Sequence, residues 1–241
     1  MTAIGTILGS AVGDALGAPF EFGPEGAFTR RFPVPGRGGE MCGGGGWDPG
    51  EATDDTQMAV VLGESLVRHG GLELPDVFDG FRQWAAVEPK DIGLQTEAVL
   101  TSGDPWDLAS ALHFQVSQRA AGNGSLMRAA TSAVFFASCG RDVTMSAARR
   151  IASLTHGDPA AWEGTAILHE LIRTALVGHD PLTALPDTLD GDEAVPARWT
   201  EVLHVPLPGS GGRVLRADGL AGLAGRLADG PRTPVEGITT P

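Results

Sequence analysis

The sequence predicts an all-α fold. Apolar residues recur at helical spacing in one segment after another, and no run alternates with period two for long enough to make a strand. The breaks between segments carry Pro, Gly, Asp and Thr, which start and stop helices. With 241 residues there is chain enough for one large core. Tyr is absent and aromatic residues are 6%, so Leu, Val and Ala must fill that core.

Taken in order, Thr2–Leu16 places Ile4, Ile7, Leu8, Val12 and Ala15 at helical spacing with small residues between them. So small-residued a helix can pack closely, and it is expected to be buried. Residues 23–50 are rich in Gly, Pro and charge without a period and predict a long loop, a length that in compact domains goes with function or disorder. Thr56–His69 sets Met58, Val61, Leu62, Ser65 and Leu66 on one face. Val77, Phe78, Phe81 and Trp84 form the stripe of a helix opened by Pro75. Further helices are expected over 92–101, 107–119, 126–138, 145–154 and 161–177. Beyond Val177 the text breaks up, with one last helix expected over Ala217–Leu227. The expected organisation is a single domain over 1–229 and a flexible tail over 230–241.

The formal net charge is 17 − 30 = −13. So acidic a surface argues against a nucleic-acid backbone as direct partner and suits a protein that gathers cations. Cys42 and Cys139 match no metal spacing and no disulfide framework, which points to a reducing cytoplasm. The first 17 residues lack a basic start and contain Asp14, so they are expected to be neither a signal peptide nor a membrane span.

Three motifs carry chemistry. In Glu51-Ala52-Thr53-Asp54-Asp55-Thr56-Gln57, where the long loop meets a helix, one hydroxyl or carboxylate suffices to cap the helix. Two adjacent carboxylates flanked by hydroxyls exceed that need, and hard oxygen donors of this kind suit Mg²⁺ or Mn²⁺ rather than zinc. In Ala121-Gly122-Asn123-Gly124-Ser125-Leu126-Met127-Arg128, a Gly-rich turn leads into an expected helix; it reads as a phosphate cradle or as a plain turn. In Ser153-Leu154-Thr155-His156-Gly157-Asp158-Pro159, His156 sits where one helix ends, and Asp158-Pro159 is a cap followed by a first-turn proline. Glu21 and Asp91 are lesser carboxylate candidates, each of which also reads as an ordinary surface or capping acid.

Taken together and in order, GSAVGDALGAPFEF, GEATDDTQM, KDIGLQT, AGNGSLMR and LTHGDPAAWEG resemble the ADP-ribosylglycohydrolase family, including the dinitrogenase reductase-activating type, over about residues 4–175. The resemblance implies a compact multi-helix bundle with an Mg²⁺ or Mn²⁺ centre. It implies cleavage of the N- or O-glycosidic bond between ADP-ribose and a protein side chain or small acceptor. It assigns Thr53, Asp54 and Asp55 to the metal, Asp91 and Glu21 to the reacting ribose and the cleft, Gly122, Asn123, Gly124 and Ser125 to the phosphates, and His156 to the substrate.

The family's second set of metal ligands lies in an Asp-x-Asp-Thr motif, and none follows Thr56 here. Asp190-Gly191-Asp192-Glu193 is the nearest imitation, while Ala194–Trp199 resembles what normally follows the motif. This pattern implies an internal deletion near residues 187–193 and an incomplete C-terminal part. Three functions stay open: a hydrolase of ADP-ribosylated substrates with impaired activity, a non-catalytic ADP-ribose-binding relative, and a different Mg²⁺-dependent phosphohydrolase.

Overall fold

The computed structural model describes residues 2–34 and 40–181. The expected helix over 217–227, the junction at 187–193 and the tail at 230–241 lie outside the described residues. Nine α-helices and no strand are found among the described residues. They are α1 Ala3–Gly17, α2 Ala27–Arg31, α3 Asp54–His69, α4 Leu74–Ala85, α5 Leu94–Thr101, α6 Ala109–Ser117, α7 Ala130–Phe136, α8 Arg141–Ala152 and α9 Pro159–Leu176.

Local chemistry sets the boundaries. Thr2 caps α1 by accepting from the Gly5 N–H, Thr53 caps α3, and Asp158 caps α9 by accepting from the Ala160 N–H, with Pro159 in the first turn. Gly70 ends α3 in the left-handed conformation that glycine adopts without strain.

The helix expected over 126–138 is shorter than its apolar run. A 3-10 turn occupies Asn123–Ser125 and the chain turns on to Ala129 before α7 begins. The segment expected to be a loop holds α2, and Phe28 within it and Phe32 just after it close on Phe20 with ring centroids 5.3 and 6.3 Å away. Three rings at that spacing give a five-residue helix an apolar anchor that composition alone concealed.

The core gathers Met58, Leu62 and Leu66 from α3, Val77, Phe78 and Phe81 from α4, Val99 and Leu100 from α5, and Phe135, Phe136 and Ile151 from α7 and α8. Burial of each such side chain contributes about 1.5–3 kcal/mol. α9 packs on α7 and α8, α3 on α4 and α7, and α5 joins α4 to α6. Arg149 and Glu163 pin α8 to α9 through two bonds of 2.8 Å.

α1 departs from its expectation of burial. Thr6, Ile7, Ala11 and Ala15 face the core, but Gly9, Gly13 and Gly17 are exposed, with nothing among the described residues within 4 Å of where a side chain would begin. Ala3–Phe20 is long and apolar enough, by length and composition alone, to cross a membrane, a test that the core helix of a soluble protein also passes. In this fold its Asp14 carboxylate is instead engaged by the start of α3.

Candidate functional site

The segment that follows α1, the start of α3, the segment after α4 and the 3-10 turn at Asn123–Ser125 all border one cleft of about 290 Å³. Glu21, Asp54, Asp55 and Asp91 line one part of it, and Gly122, Asn123, Gly124 and His156 another, with Phe22, Leu94, Gln95, Thr96 and Met127 between. Eight of the ten residues assigned from the sequence therefore meet in one place. The other two, Thr53 and Ser125, are buried behind the lining.

The acidic part is held by a residue that the motifs did not single out. Asp14 accepts from the Thr53 N–H at 3.0 Å and its hydroxyl at 2.8 Å, and from the Thr56 N–H at 3.2 Å and its hydroxyl at 2.6 Å. A single carboxylate from α1 thus satisfies free donors at the start of α3, where negative charge also favours the dipole. Thr53 caps as well, through an Asp55 N–H contact of 3.4 Å. With capping supplied by Asp14 and Thr53, the Asp54 and Asp55 carboxylates are left for the cleft.

Electrostatics there is unfavourable to charge. Burial, then repulsion from Asp55, Asp91 and Glu21, pushes Asp54 up to about 7 from an ordinary carboxylate value. Burial and the Asp14 charge also raise Asp55, against a lowering bond from Thr53. Burial, then Asp91, Asp55 and Asp14, raises Glu21. Crowded carboxylates with raised proton affinity are what a bound cation relieves.

The donor chemistry fits a hard divalent ion: Thr53 Oγ1 and the two Asp carboxylates are all oxygen ligands. The set is nevertheless short. Among the described residues no three His, Cys, Asp or Glu side chains form a chelating group. Thr53 Oγ1 is also bonded to Asp14 and lies 3.3 Å from Asp55 Oδ2.

The second wall is uncharged and tightly tied. Gln95 donates to the Ala120 and Thr155 carbonyls at 2.9 and 3.2 Å and accepts from the Gly122 N–H at 3.2 Å. The N–H groups of Asn123, Gly124 and Ser125 open a 3-10 turn and have no acceptor within it. The turn does not start an α-helix, so the helix-dipole argument for phosphate made from the sequence is replaced by these short-range donors. Ser125 Oγ turns inward to Thr165 Oγ1 at 3.0 Å, where it holds the loop instead of lining the cleft.

Gly124 has no room for a side chain. A Cβ there would stand 3.0 Å from His156 Cε1 and 3.0 Å from Thr96 Oγ1. Gly157 does the same for the next segment, since a Cβ would collide with the Ser110 carbonyl and Phe114. His156 is therefore seated by close backbone approach on both sides. Its carbonyl accepts from Trp162 Nε1, and its Nδ1 lies 2.8 Å from Thr155 Oγ1. Burial first, then the Arg128 and His113 charges, pushes its pKa down to about 3, so the ring is neutral at physiological pH.

Asp14 and Gln95 were missed because each acts across the fold. Asp14 reads in sequence as a lone acid in an apolar helix, and Gln95 lies inside KDIGLQT, a motif from which only Asp91 was carried over. A lone, half-buried acid in an apolar helix was the one available signal.

The family profile described as ADP-ribosylglycohydrolase matches residues 2–191. The ADP-ribosyl-[dinitrogen reductase] glycohydrolase of Rhodospirillum rubrum is 40% identical over 94 residues, 38% of this chain and 31% of that protein. The ADP-ribosylarginine hydrolase Tri1 of Pseudomonas putida (strain GB-1) is 32% identical over 192 residues, 73% of this chain and 47% of that protein. The chain thus spans less than half the length of either relative. A solved structure, "ADP-ribosylglycohydrolase-related protein complex", superposes with a TM-score of 0.66 at 32% identity, covering 94% of this chain and 74% of that one.

Proposed function

The chain belongs to the ADP-ribosylglycohydrolase family, and on that premise we propose that it binds an ADP-ribosyl group in this cleft and hydrolyses the bond joining it to a protein side chain or small acceptor. The observation that carries the reading is the meeting of Asp54, Asp55, Asp91 and Glu21 with the Gly122–Gly124 turn and His156 around one cleft. An ADP-ribosyl group has an anionic diphosphate at its middle and a hydroxyl-rich ribose at its reacting end. The uncharged wall offers N–H donors to the first, and the acidic wall suits the second.

In hydrolysis the oxygen of a water joins the anomeric carbon, the C–N or C–O bond to the acceptor breaks, and the departing atom takes a proton. In this reading Glu21 and Asp91, which both line the cleft, receive the proton of that water, and the raised proton affinity of Glu21 suits it to return one. Thr53, Asp54 and Asp55 would hold one Mg²⁺ or Mn²⁺, which when bound supplies charge neutralisation and polarises ribose hydroxyls and water. The acidic composition argues against a nucleic-acid backbone as direct partner. Cytoplasmic residence remains part of this reading, on cysteine usage alone.

The short donor set favours a second reading, an ADP-ribose-binding module without turnover. Three donors stand where an octahedral ion takes six, and Asp190, Asp192 and Glu193, the nearest substitutes in sequence, lie outside the described residues. We therefore expect at most one ion. The test is release of ADP-ribose from an ADP-ribosylarginine protein, with Mg²⁺ and with a chelator, beside calorimetric titration with free ADP-ribose. Release that the chelator stops supports hydrolysis. Binding without release at any Mg²⁺ concentration supports the module, and neither binding nor release excludes both.

A further inference from the structure

His156 is held in the wall of the cleft by a chain of groups that the proposed reaction does not use. Arg128 is fully buried, with its guanidinium stacked 4.5 Å over the Phe81 ring, and one of its terminal nitrogens donates to Thr155 Oγ1 at 2.8 Å. Thr155 is equally buried, and the same oxygen lies 2.8 Å from His156 Nδ1. Burial lowers the Arg128 pKa only to about 9, so it is a cation at neutral pH and has no lone pair to offer. Thr155 Oγ1 must then accept from Arg128.

Two arrangements remain for the proton between Thr155 and His156. If Nδ1 carried it, Thr155 would accept twice and its own hydroxyl proton would point into a dry interior with no acceptor, which is unfavourable. If the hydroxyl donates to Nδ1, the Thr155 hydroxyl and the Nδ1 lone pair are both satisfied and the ring proton sits on Nε2, while Arg128 Nε has no partner among the described residues in either arrangement. Nε2 faces the cleft turn: it is 3.2 Å from the Cβ position of Gly124 and 3.5 Å from that of Gly122. No hydrogen bond among the described residues occupies it.

We propose that Arg128 and Thr155 are positioning residues that lock His156 in its Nε2–H tautomer, so that the ring gives the cleft a neutral donor for an anionic oxygen of the ligand. The donor joins the N–H groups of Asn123 and Gly124 on the same wall. His156 is thus a hydrogen-bond donor and not the base of the reaction. The ligand's identity rests on the proposed function; the tautomer does not.

The experiment reads the imidazole nitrogens of the ligand-free full chain by long-range ¹H–¹⁵N correlation at pH 7, then again with ADP-ribose. The expected wild-type pattern has the pyridine-type signal on Nδ1 and the proton on Nε2, with the Nε2 signal moving on ligand addition. Thr155→Ser keeps a hydroxyl and should keep the pattern. Thr155→Val should yield mixed tautomers and roughly tenfold weaker ADP-ribose binding, at circular dichroism like that of the wild type. An Nδ1–H tautomer in the wild type overturns the proposal, as does an unchanged pattern in Thr155→Val. A wild type with the Nε2–H pattern and no ADP-ribose affinity would refute the ligand assignment while leaving the lock standing; should Thr155→Val not fold, the wild-type and Thr155→Ser spectra decide alone.

Discussion

On one wall of the cleft Glu21, Asp54, Asp55 and Asp91 bring four carboxylates together, while on the other His156, Gly122, Asn123 and Gly124 bring no charge at all. The first wall is unsatisfied as it stands. Its charges repel, and Glu21, Asp54 and Asp55 hold their protons more tightly than ordinary carboxylates do. The second is held in shape without any ligand, since Gln95, Thr155, Ser125 and Thr165 tie its segments together in advance. One wall is therefore crowded with like charge and the other is preorganised. The difference predicts that affinity for a diphosphate and affinity for a metal can be removed separately.

The largest expected effect breaks the preorganised wall. Gly124→Val places atoms where His156 and Thr96 already stand, so calorimetry should find ADP-ribose binding lost, by more than about 100-fold, with Mg²⁺ binding close to wild type. Loss of both together would show that the two walls are not independent.

Asp54→Asn attacks the other wall. Removing one of the crowded acids should weaken Mg²⁺ binding by about 100-fold yet raise the melting temperature of the metal-free protein, because repulsion is relieved. A melting temperature that falls would mean that Asp54 is structurally required.

Asp14→Asn sharpens the comparison, since this acid is a clamp and not a ligand. It should weaken Mg²⁺ binding by roughly 10–100-fold, as loss of a supporting group does. Unlike Asp54→Asn it should also destabilise the fold, by about 1–2 kcal/mol in urea melts.

The smallest effect is a pH trend. Asp54 binds its proton more tightly folded, near 7, than unfolded, near 3.8, so the protonated fold is the favoured one. Metal-free melting temperatures should therefore decline by a few degrees as pH rises from about 4 to above 7, and added Mg²⁺ should recover the loss chiefly at the upper end. Scanning fluorimetry with and without a chelator reads both; a metal-free protein that gains stability over that range contradicts the assigned repulsion.

Sequence made visible whatever was local. Thr53 with Asp54 and Asp55 announced both a cap and a surplus of acid, and Asp158-Pro159 announced the start of α9. The meeting of residues from five motifs in one fold came with the family resemblance. What stayed hidden depended on partners distant in the chain. The direction of Ser125 is set by Thr165, the existence of α2 by Phe20, and the placing of Asp54 and Asp55 by Asp14. The open glycine face of α1 was misread for the converse reason: small residues permit close packing, but only a neighbour can make it happen.

The Asp14 clamp also bears on how the molecule comes to be. It joins residues 39 and 42 positions apart, and the Gln95 bond to Thr155 spans 60. Contacts that far apart reward the chain only after the loops between them have closed. Helices such as α3 and α8 hold themselves by local bonds and can form early, but the acidic wall exists only once α1 has docked on α3. Its carboxylates are therefore spread apart and well solvated through most of folding, and their repulsion is met at the final step. A cation present at that moment would act on the last stage of assembly, slowing the chain's return to the unfolded state more than hastening its arrival.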